Sequence, residues 1–367
     1  MSPTFIDLHV LQTVPPSNIN RDDTGSPKSA VYGGVTRARI SSQAQKKAAR
    51  DAFPKLIDAS KLGVRTKRVV ELVAAEIERQ RPALSESAAE LAWAVLDAAG
   101  IKLTKPKKGE DQLSESGYLL FLSRAQVARL ATLAIESDGA IDKKTAKAAA
   151  DTAHSVDVAL FGRMVADATD LSVDATVQVA HAISVHAVEN EFDYFTAVDD
   201  LKGDDEDAGA AMIGTVEFNS STLYRYATIN ATALRSTLDP DDAAPTVEAV
   251  RAFIRAFVTS MPTGKQNTFA NRTLPDVVVA LVRSDQPVNF SGAFEEAVTA
   301  TSARGRLAEA SARLADYAAE ISRAYGPGAT SSFVVRVGEA TGGVSAIGEE
   351  VTFDELVQRV GDHVAGV

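Results

Sequence analysis

The chain has no cysteine among its 367 residues. That removes disulfides, thiolate nucleophiles and cysteine-ligated zinc together. It has one tryptophan and five histidines, and aromatic residues make up only 6%. It has fewer cations than anions, 38 Lys and Arg against 49 Asp and Glu, a net charge of −11. A surface of that balance does not attract nucleic acid everywhere, although a confined basic groove remains compatible with it. No stretch approaches the roughly 20 apolar residues of a membrane span. The start, MSPTFIDLHV, lacks the basic n-region of a signal peptide. A soluble, cytoplasmic protein is therefore expected. Neither a GxSxG elbow, a Walker A loop nor a GxGxxG turn occurs, and the histidines stand in no ligand spacing. Hydrophobic content of 45% and charged content of 24% are those of an ordinary globular chain able to build a sizeable core.

Against this background one stretch stands out. Residues 18–50 carry Arg21, Lys28, Arg37, Arg39, Lys46, Lys47 and Arg50, opposed only by Asp22, Asp23. Gly33 and Gly34 sit in its middle and let backbone approach a partner without a Cβ in the way. Ser42 followed by Gln45 reads as a capping box opening a helix. Lys46 and Arg50 lie one turn apart on one face of it, with Ala48, Ala49, Ala52 and Phe53 expected on the buried side. A helix N-terminus among cations is suited to a phosphate.

The rest reads as a mixed chain. Residues 4–14 alternate as a strand, with Ile6, Leu8 and Val10 on one face and Asp7 and His9 on the other. His9, His181 and His186 are read as structural. Residues 61–151 turn helical, interrupted by the lysine-rich KLTKPKKGEDQ (Lys102, Lys105, Lys107, Lys108). Lys143, Lys144 and Lys147 open a further helix. Both lysine groups have a plain reading as solvated surface. Strands are expected at 156–164, 176–188, 223–231, 276–283 and 333–337. Helices are expected at 246–260, 292–302, 306–325 and from Phe353. Tyr224 and Tyr226 should share one strand face and Arg225 the other. The acidic LKGDDEDAGA (201–210) looks like the tip of a long hairpin, and its composition is also that of a disordered loop.

Several blocks give the chain a resemblance. NRDD, YGG and RARISSQ (residues 20–43), ALFGRM (159–164), VAHAISVH (179–186), FDYFTAVDDL (192–201), YRYATIN (224–230) and GKQNTFA (264–270) occur in an order that resembles the CasC family, the backbone subunit of the type I-E CRISPR Cascade complex. The resemblance implies an α+β fold: a modified RRM (ferredoxin-like) palm, a helical finger insertion and a β-hairpin thumb. The palm would take residues 1–60, 176–190 and 223–367, the finger 61–175 and the thumb 191–222. It implies a CRISPR RNA held by its backbone whatever the sequence, several copies in a helical filament, other Cascade subunits as partners, and target DNA engaged through base pairing with the guide.

By the same resemblance Arg21, Lys28, Gln43, Lys46, Lys47 and Arg50 are first candidates for RNA contact. Arg37, Arg39, Arg225, Lys265 and Gln266 come second. Met164 matches a position near a kinked nucleotide, and a buried core methionine is the equal alternative. Lys105, Lys107, Lys108, Lys143, Lys144 and Lys147 are candidates for target DNA. The family often carries a further basic residue after the double glycine, where this chain has Val35 and Thr36; Arg37 and Arg39 would then carry more of the contact. No catalytic role, cofactor or metal is implied. The alternative is a metal-dependent ribonuclease like the backbone subunits of type III complexes, with Asp22 or Asp23 holding Mg²⁺ beside RNA. Against it, these aspartates can simply order the loop.

Overall fold

In a computed structural model the chain is described over residues 3–104, 113–137, 140–165, 169–197, 212–300 and 305–366. It divides into two compact units. The first comprises Met1–Asp51, Val179–Thr228 and Phe253–Val360; the second comprises Ala52–Gln178, Ile229–Ala252 and Gly361–Val367.

The first unit is built on a large mixed sheet. Its strands run in the order Glu349–Glu350, Ala329–Arg336, Val277–Arg283, Phe5–Ser17, Met212–Asn230, Ala182–Ser184, Val35–Ile40 and Ser29–Tyr32. Phe5–Ser17 and Val277–Arg283 pair antiparallel, from Phe5 opposite Arg283 to Leu11 opposite Val277. Ala329–Arg336 joins the other edge of Val277–Arg283 antiparallel and takes Glu349–Glu350 in parallel. Val277–Arg283 (VVVALVR) is buried at every position, as a continuous apolar run between two strands should be.

The N-terminal strand alternates as expected but is covered on both faces: Ile6, Leu8 and Val10 are fully buried, and so are Asp7 and His9. The His9 ring stacks on Phe290 at 4.2 Å and bonds to the Tyr224 hydroxyl at 2.9 Å. Asp7 accepts from the Tyr226 hydroxyl (2.8 Å) and the Val288 amide (2.9 Å). Around these groups Leu11, Val279, Leu281, Phe290, Phe294 and Leu314 close an apolar core. His186 is structural in the same sense. Its Nε2 accepts from the Thr222 amide (3.1 Å), so Nδ1 carries the proton and donates to the Ala187 carbonyl (2.8 Å).

Glu191–Ala197 pairs antiparallel with the start of Met212–Asn230, from Glu191 opposite Phe218 to Ala197 opposite Met212. These two strands make the arm of a hairpin; the expected tip at 201–210 lies outside the described residues.

The second unit holds the helices Val69–Gln80, Ala88–Ala98, Arg124–Glu136 and Lys143–Ala150. Val73, Ile77, Ala92, Leu96, Leu130, Ala131 and Ala146 form their shared core. Arg163, 4% exposed, organises the segment after them. It donates to the carbonyls of Leu171 (2.7 Å) and Ala150 (3.0 Å) and pairs with Asp151 at 2.8 Å.

Four expectations are corrected. Residues 156–164 are not a strand: Val156–Phe161 is a helix, ended by Gly162 at φ +77°. Residues 176–188 do not run as one strand; Val177–Val179 and Ala182–Ser184 are separate, with His181 exposed at the break. Residues 292–302 do not form a helix over their described part, which has a short 3₁₀ turn at Phe290–Phe294 and then irregular chain. The helix Ser42–Ala52 is capped by Ser41, whose hydroxyl accepts from the Ala44 amide (3.3 Å), and Gln45 is buried rather than reaching back to the helix start. Among the described residues no helix is long and apolar enough to cross a membrane.

Candidate nucleic-acid interface

The basic stretch folds as a loop, a hairpin and a helix, all in the first unit. The loop is ordered by Asp22. One of its carboxylate oxygens accepts from the Thr24 amide (2.9 Å), the Thr24 hydroxyl (2.7 Å) and the Ser26 amide (3.0 Å). Led by the Thr24 hydroxyl, these bonds hold the carboxyl below its ordinary pKa. This is an Asx turn, the local device by which Asp replaces a backbone acceptor. Asp23 is exposed beside it. Among the described residues no group of three or more His, Asp and Glu is placed to hold a metal ion.

Arg21 projects from this loop, exposed, and the loop walls a concavity lined by residues 19–25 and Gly264. Gly264 is laid against the backbone of Asn18 and Ile19 so closely that a Cβ would run into the Ile19 carbonyl. The following residues, half-exposed Lys265 and exposed Gln266, are thereby carried to the same rim. Lys265 itself adopts the left-handed backbone (φ +48°), as does Ala270 (φ +47°), on either side of the short helix Gln266–Phe269. Non-glycine residues hold that conformation only when their surroundings enforce it.

A second concavity includes Lys28 and Arg39 together with Asn20, Ser221 and Asn219. Lys28 donates its amide to Asn20 and accepts from the Arg39 amide (2.8 and 2.9 Å). The Arg39 guanidinium bonds the Ser29 carbonyl (3.0 Å) and His181 Nδ1 (3.2 Å). The basic helix is tied to the same place through Asn20, whose side chain accepts from the Ser41 amide at 2.9 Å. On the helix Gln43 and Lys47 are exposed, while Lys46 and Arg50 are half-exposed. Burial of its stem lowers the Lys46 ammonium pKa. Lys47 is partnered by Asp51 at 2.5 Å.

Two candidates do not belong to the surface at all. Arg37 is fully buried. It donates to the carbonyls of Tyr32 (3.1 Å), Ser184 (3.1 Å), Phe294 (3.0 Å) and Glu295 (3.0 Å). Gly33, at φ +59°, sits where a Cβ would run into the Glu295 carbonyl. The double-glycine turn is thus pinned against the 290–295 segment by Arg37. Arg225 is 4% exposed. It donates to Gln12 Oε1 (2.6 Å), Gln45 Oε1 (3.4 Å) and the Phe257 carbonyl, and its guanidinium lies over the Phe257 ring at 4.6 Å. Burial pushes its pKa down to about 10, so it stays charged at neutral pH. A strand alternation separates Arg225 from Tyr224 and Tyr226 but cannot reveal that both faces are covered.

The other candidates lie in the second unit. Met164 is 85% exposed, which disposes of the core alternative. Lys143 and Lys144 are exposed, and Lys147 pairs with Asp170 at 2.6 Å. Lys105, Lys107 and Lys108 lie outside the described residues. Sequence reasoning missed the polar residues that assemble the first-unit site: Asn18, Asn20 and Glu217. Their one signal was the presence of two asparagines between a strand and a basic loop, where such residues accept turns.

The site can therefore present several cations and backbone turns to an extended polyanion. Comparison with curated protein sequences gave no match. Two solved structures are similar over nearly the whole chain. A chain of a CRISPR RNA-guided surveillance complex, pre-nicking, is 33% identical, with 98% of this chain and 100% of that one covered and a TM-score of 0.85. A chain of a CRISPR RNA-guided surveillance complex is 29% identical, with 98% and 99% covered and a TM-score of 0.64. The family model described as CT1975-like protein matches residues 6–359. On that match, and on a likeness to surveillance-complex subunits that runs the length of the chain, this protein belongs to the CT1975-like family of Cas proteins.

Proposed function

We propose that the chain is the guide-binding backbone subunit of a type I-E Cascade complex. Copies of it line up along one CRISPR RNA and hold the RNA backbone without reading sequence. The spacer is left to pair with target DNA. The sheet of the first unit serves as an RRM-like palm, the helices of the second as a finger, and the hairpin of Glu191–Ala197 and Met212–Asn230 as a thumb. The subunit has no catalytic role: Asp22 orders the loop that carries Arg21.

The observation that carries this reading is the gathering of Arg21, Lys28, Arg39 and the Gly264–Gln266 turn around Asn18–Asn20 in a chain that is otherwise acidic. The basic helix is hung from the same segment. Fixed backbone turns and flexible cations suit phosphates. Likeness to subunits of RNA-guided surveillance complexes supports the same partner.

The test is co-expression with a CRISPR RNA and the other subunits. The purified protein should carry RNA of uniform length, with a mass corresponding to several copies per RNA. A protein that purifies free of nucleic acid alongside an otherwise assembled complex would sink the proposal.

A further inference from the structure

Asn18, 1% exposed, closes the N-terminal strand just before the basic loop. Its Nδ2 donates to two backbone carbonyls, Gly25 on the loop and Glu217 on the hairpin, each at 2.9 Å. Both partners are acceptors only, so the amide orientation is fixed by chemistry. The Oδ1 is left buried with no partner. An unpaired buried acceptor is unfavourable and rare. The side chain is held here through the two hydrogen bonds that its amino group donates.

The Glu217 side chain repeats the link. One carboxylate oxygen accepts from the Ser26 hydroxyl (2.8 Å), the other from Asn190 (3.0 Å), and Asn190 in turn accepts from Asn219 (3.0 Å). On the other side, the Asn18 and Ile19 carbonyls are the backbone against which Gly264 is laid. The next hairpin residue, Phe218, meets Phe269 of that same turn, with ring centroids 5.7 Å apart. Loop, hairpin and turn thus converge on two consecutive residues, and none of the three joining groups is a cation.

We propose that Asn18 is a positioning residue that couples the hairpin to the basic loop, so that RNA seated on Arg21 and Lys265 is retained by a hairpin held at a fixed angle over it. This rests on the guide-binding reading. Its signature differs from that of a phosphate contact. Removing a phosphate contact weakens binding and flattens its salt dependence. Removing a positioning bond leaves the salt dependence alone and lets bound RNA escape faster.

The test uses the full-length chain, a fluorescein-labelled single-stranded RNA of arbitrary sequence, and Asn18→Asp. That change keeps the shape but turns an oxygen toward two carbonyls. Dissociation should speed by about tenfold or more as the two hydrogen bonds that Asn18 donates are lost, and in the charge-neutral Ser26→Ala the slope of log K against log salt should be unchanged. Without RNA, amide exchange of the hairpin strands and of Ser26 should rise together. Ser26→Ala, at a partly exposed position, should shift both readouts in the same direction, and it stands in if Asn18→Asp does not fold. Wild-type dissociation and exchange in the folded variants overturn the proposal. So does a flattened salt slope in Ser26→Ala, which would mean that this link carries phosphate-binding charge and does more than position the hairpin. If the wild-type chain itself binds no RNA, the guide-binding reading fails, and the exchange measurement still decides whether Asn18 couples the two segments.

Discussion

The guanidinium of Arg225 reaches the side-chain oxygen of Gln45, 3.4 Å away, in the interior of the first unit. A strand residue is thereby joined to the helix that carries Lys46 and Arg50. The same guanidinium holds Gln12 Oε1 at 2.6 Å, and Gln45 Nε2 donates to the Ala180 carbonyl at 2.9 Å. The basic helix is held from inside by a buried cation.

Replacing Arg225 by Met would keep much of the volume over Phe257 but strand Gln12 Oε1 and the Phe257 carbonyl without their donor. Unsatisfied buried acceptors and the lost charge-assisted bonds should together cost about 2–4 kcal/mol. Urea denaturation should show the midpoint falling with an unchanged m-value. A variant as stable as wild type would mean that the guanidinium is not needed there.

Charge reversal at Lys46 and Arg50 should have the opposite profile. Both positions are half-exposed, so the variant should still fold cooperatively, at a cost of about 1 kcal/mol. RNA affinity should fall equally for unrelated sequences, and each lost phosphate contact on a single strand should flatten the slope of log K against log salt by about 0.7. Unchanged affinity and slope in Lys46→Glu/Arg50→Glu would place the RNA elsewhere.

Asp22 should behave as a loop residue. Assemblies given complementary RNA with Mg²⁺ or Mn²⁺ should leave it intact, while Asp22→Ala should loosen the loop and raise amide exchange at Thr24 and Ser26. Regularly spaced cleavage that disappears in Asp22→Ala or Asp23→Ala would instead make this a metal-dependent ribonuclease.

His9 predicts an acid sensitivity. Burial, aided by Arg283, pushes its pKa down to about 3, against about 6.5 in an unfolded chain. The stabilisation it gives is complete above pH 6.5 and is lost as pH falls toward 3, because only the unfolded chain can take up the proton. Between pH 6 and 4.5 the loss should be roughly 2 kcal/mol, at about 1.4 kcal/mol per unit. Asp7, raised by burial on the same face, works in the opposite sense. His9→Phe keeps the stack on Phe290, and Tyr224 retains its bonds to Asn289 and Phe290. Thermal melts across this range should therefore be less pH-dependent by that amount in the variant. Equal pH dependence in both proteins would show that His9 can be protonated in the fold.

Sequence alone settled what depends on nearest neighbours along the chain. Alternation located the N-terminal strand over residues 4–14, which the structure carries on through Pro15 and Pro16 to Ser17. A continuous apolar run located Val277–Arg283. Helical patterning located the helices of the second unit and Arg306–Tyr325, and charge arithmetic picked out the basic stretch. Ordered blocks led to the family, which the full-length match bears out. The sequence did not decide which side of a strand meets solvent, because alternation has two phases and says nothing of a second layer. Hence only the resemblance sets Arg37 and Arg225 among the RNA-contact candidates, and the tertiary structure surrounds them with carbonyl and amide oxygens instead. Residues 156–164 misled for a related reason. A short apolar run fits a strand or a buried helix equally, and Arg163 together with Gly162 fixes the choice through contacts with Leu171, Ala150 and the Val173 backbone. Asn18 was visible only as a polar residue at the end of a strand. Its role depends on Gly25, seven positions away, and on Glu217, 199 positions away. Hydrogen bonds of that sequence separation leave no local pattern, since they are formed by the fold itself.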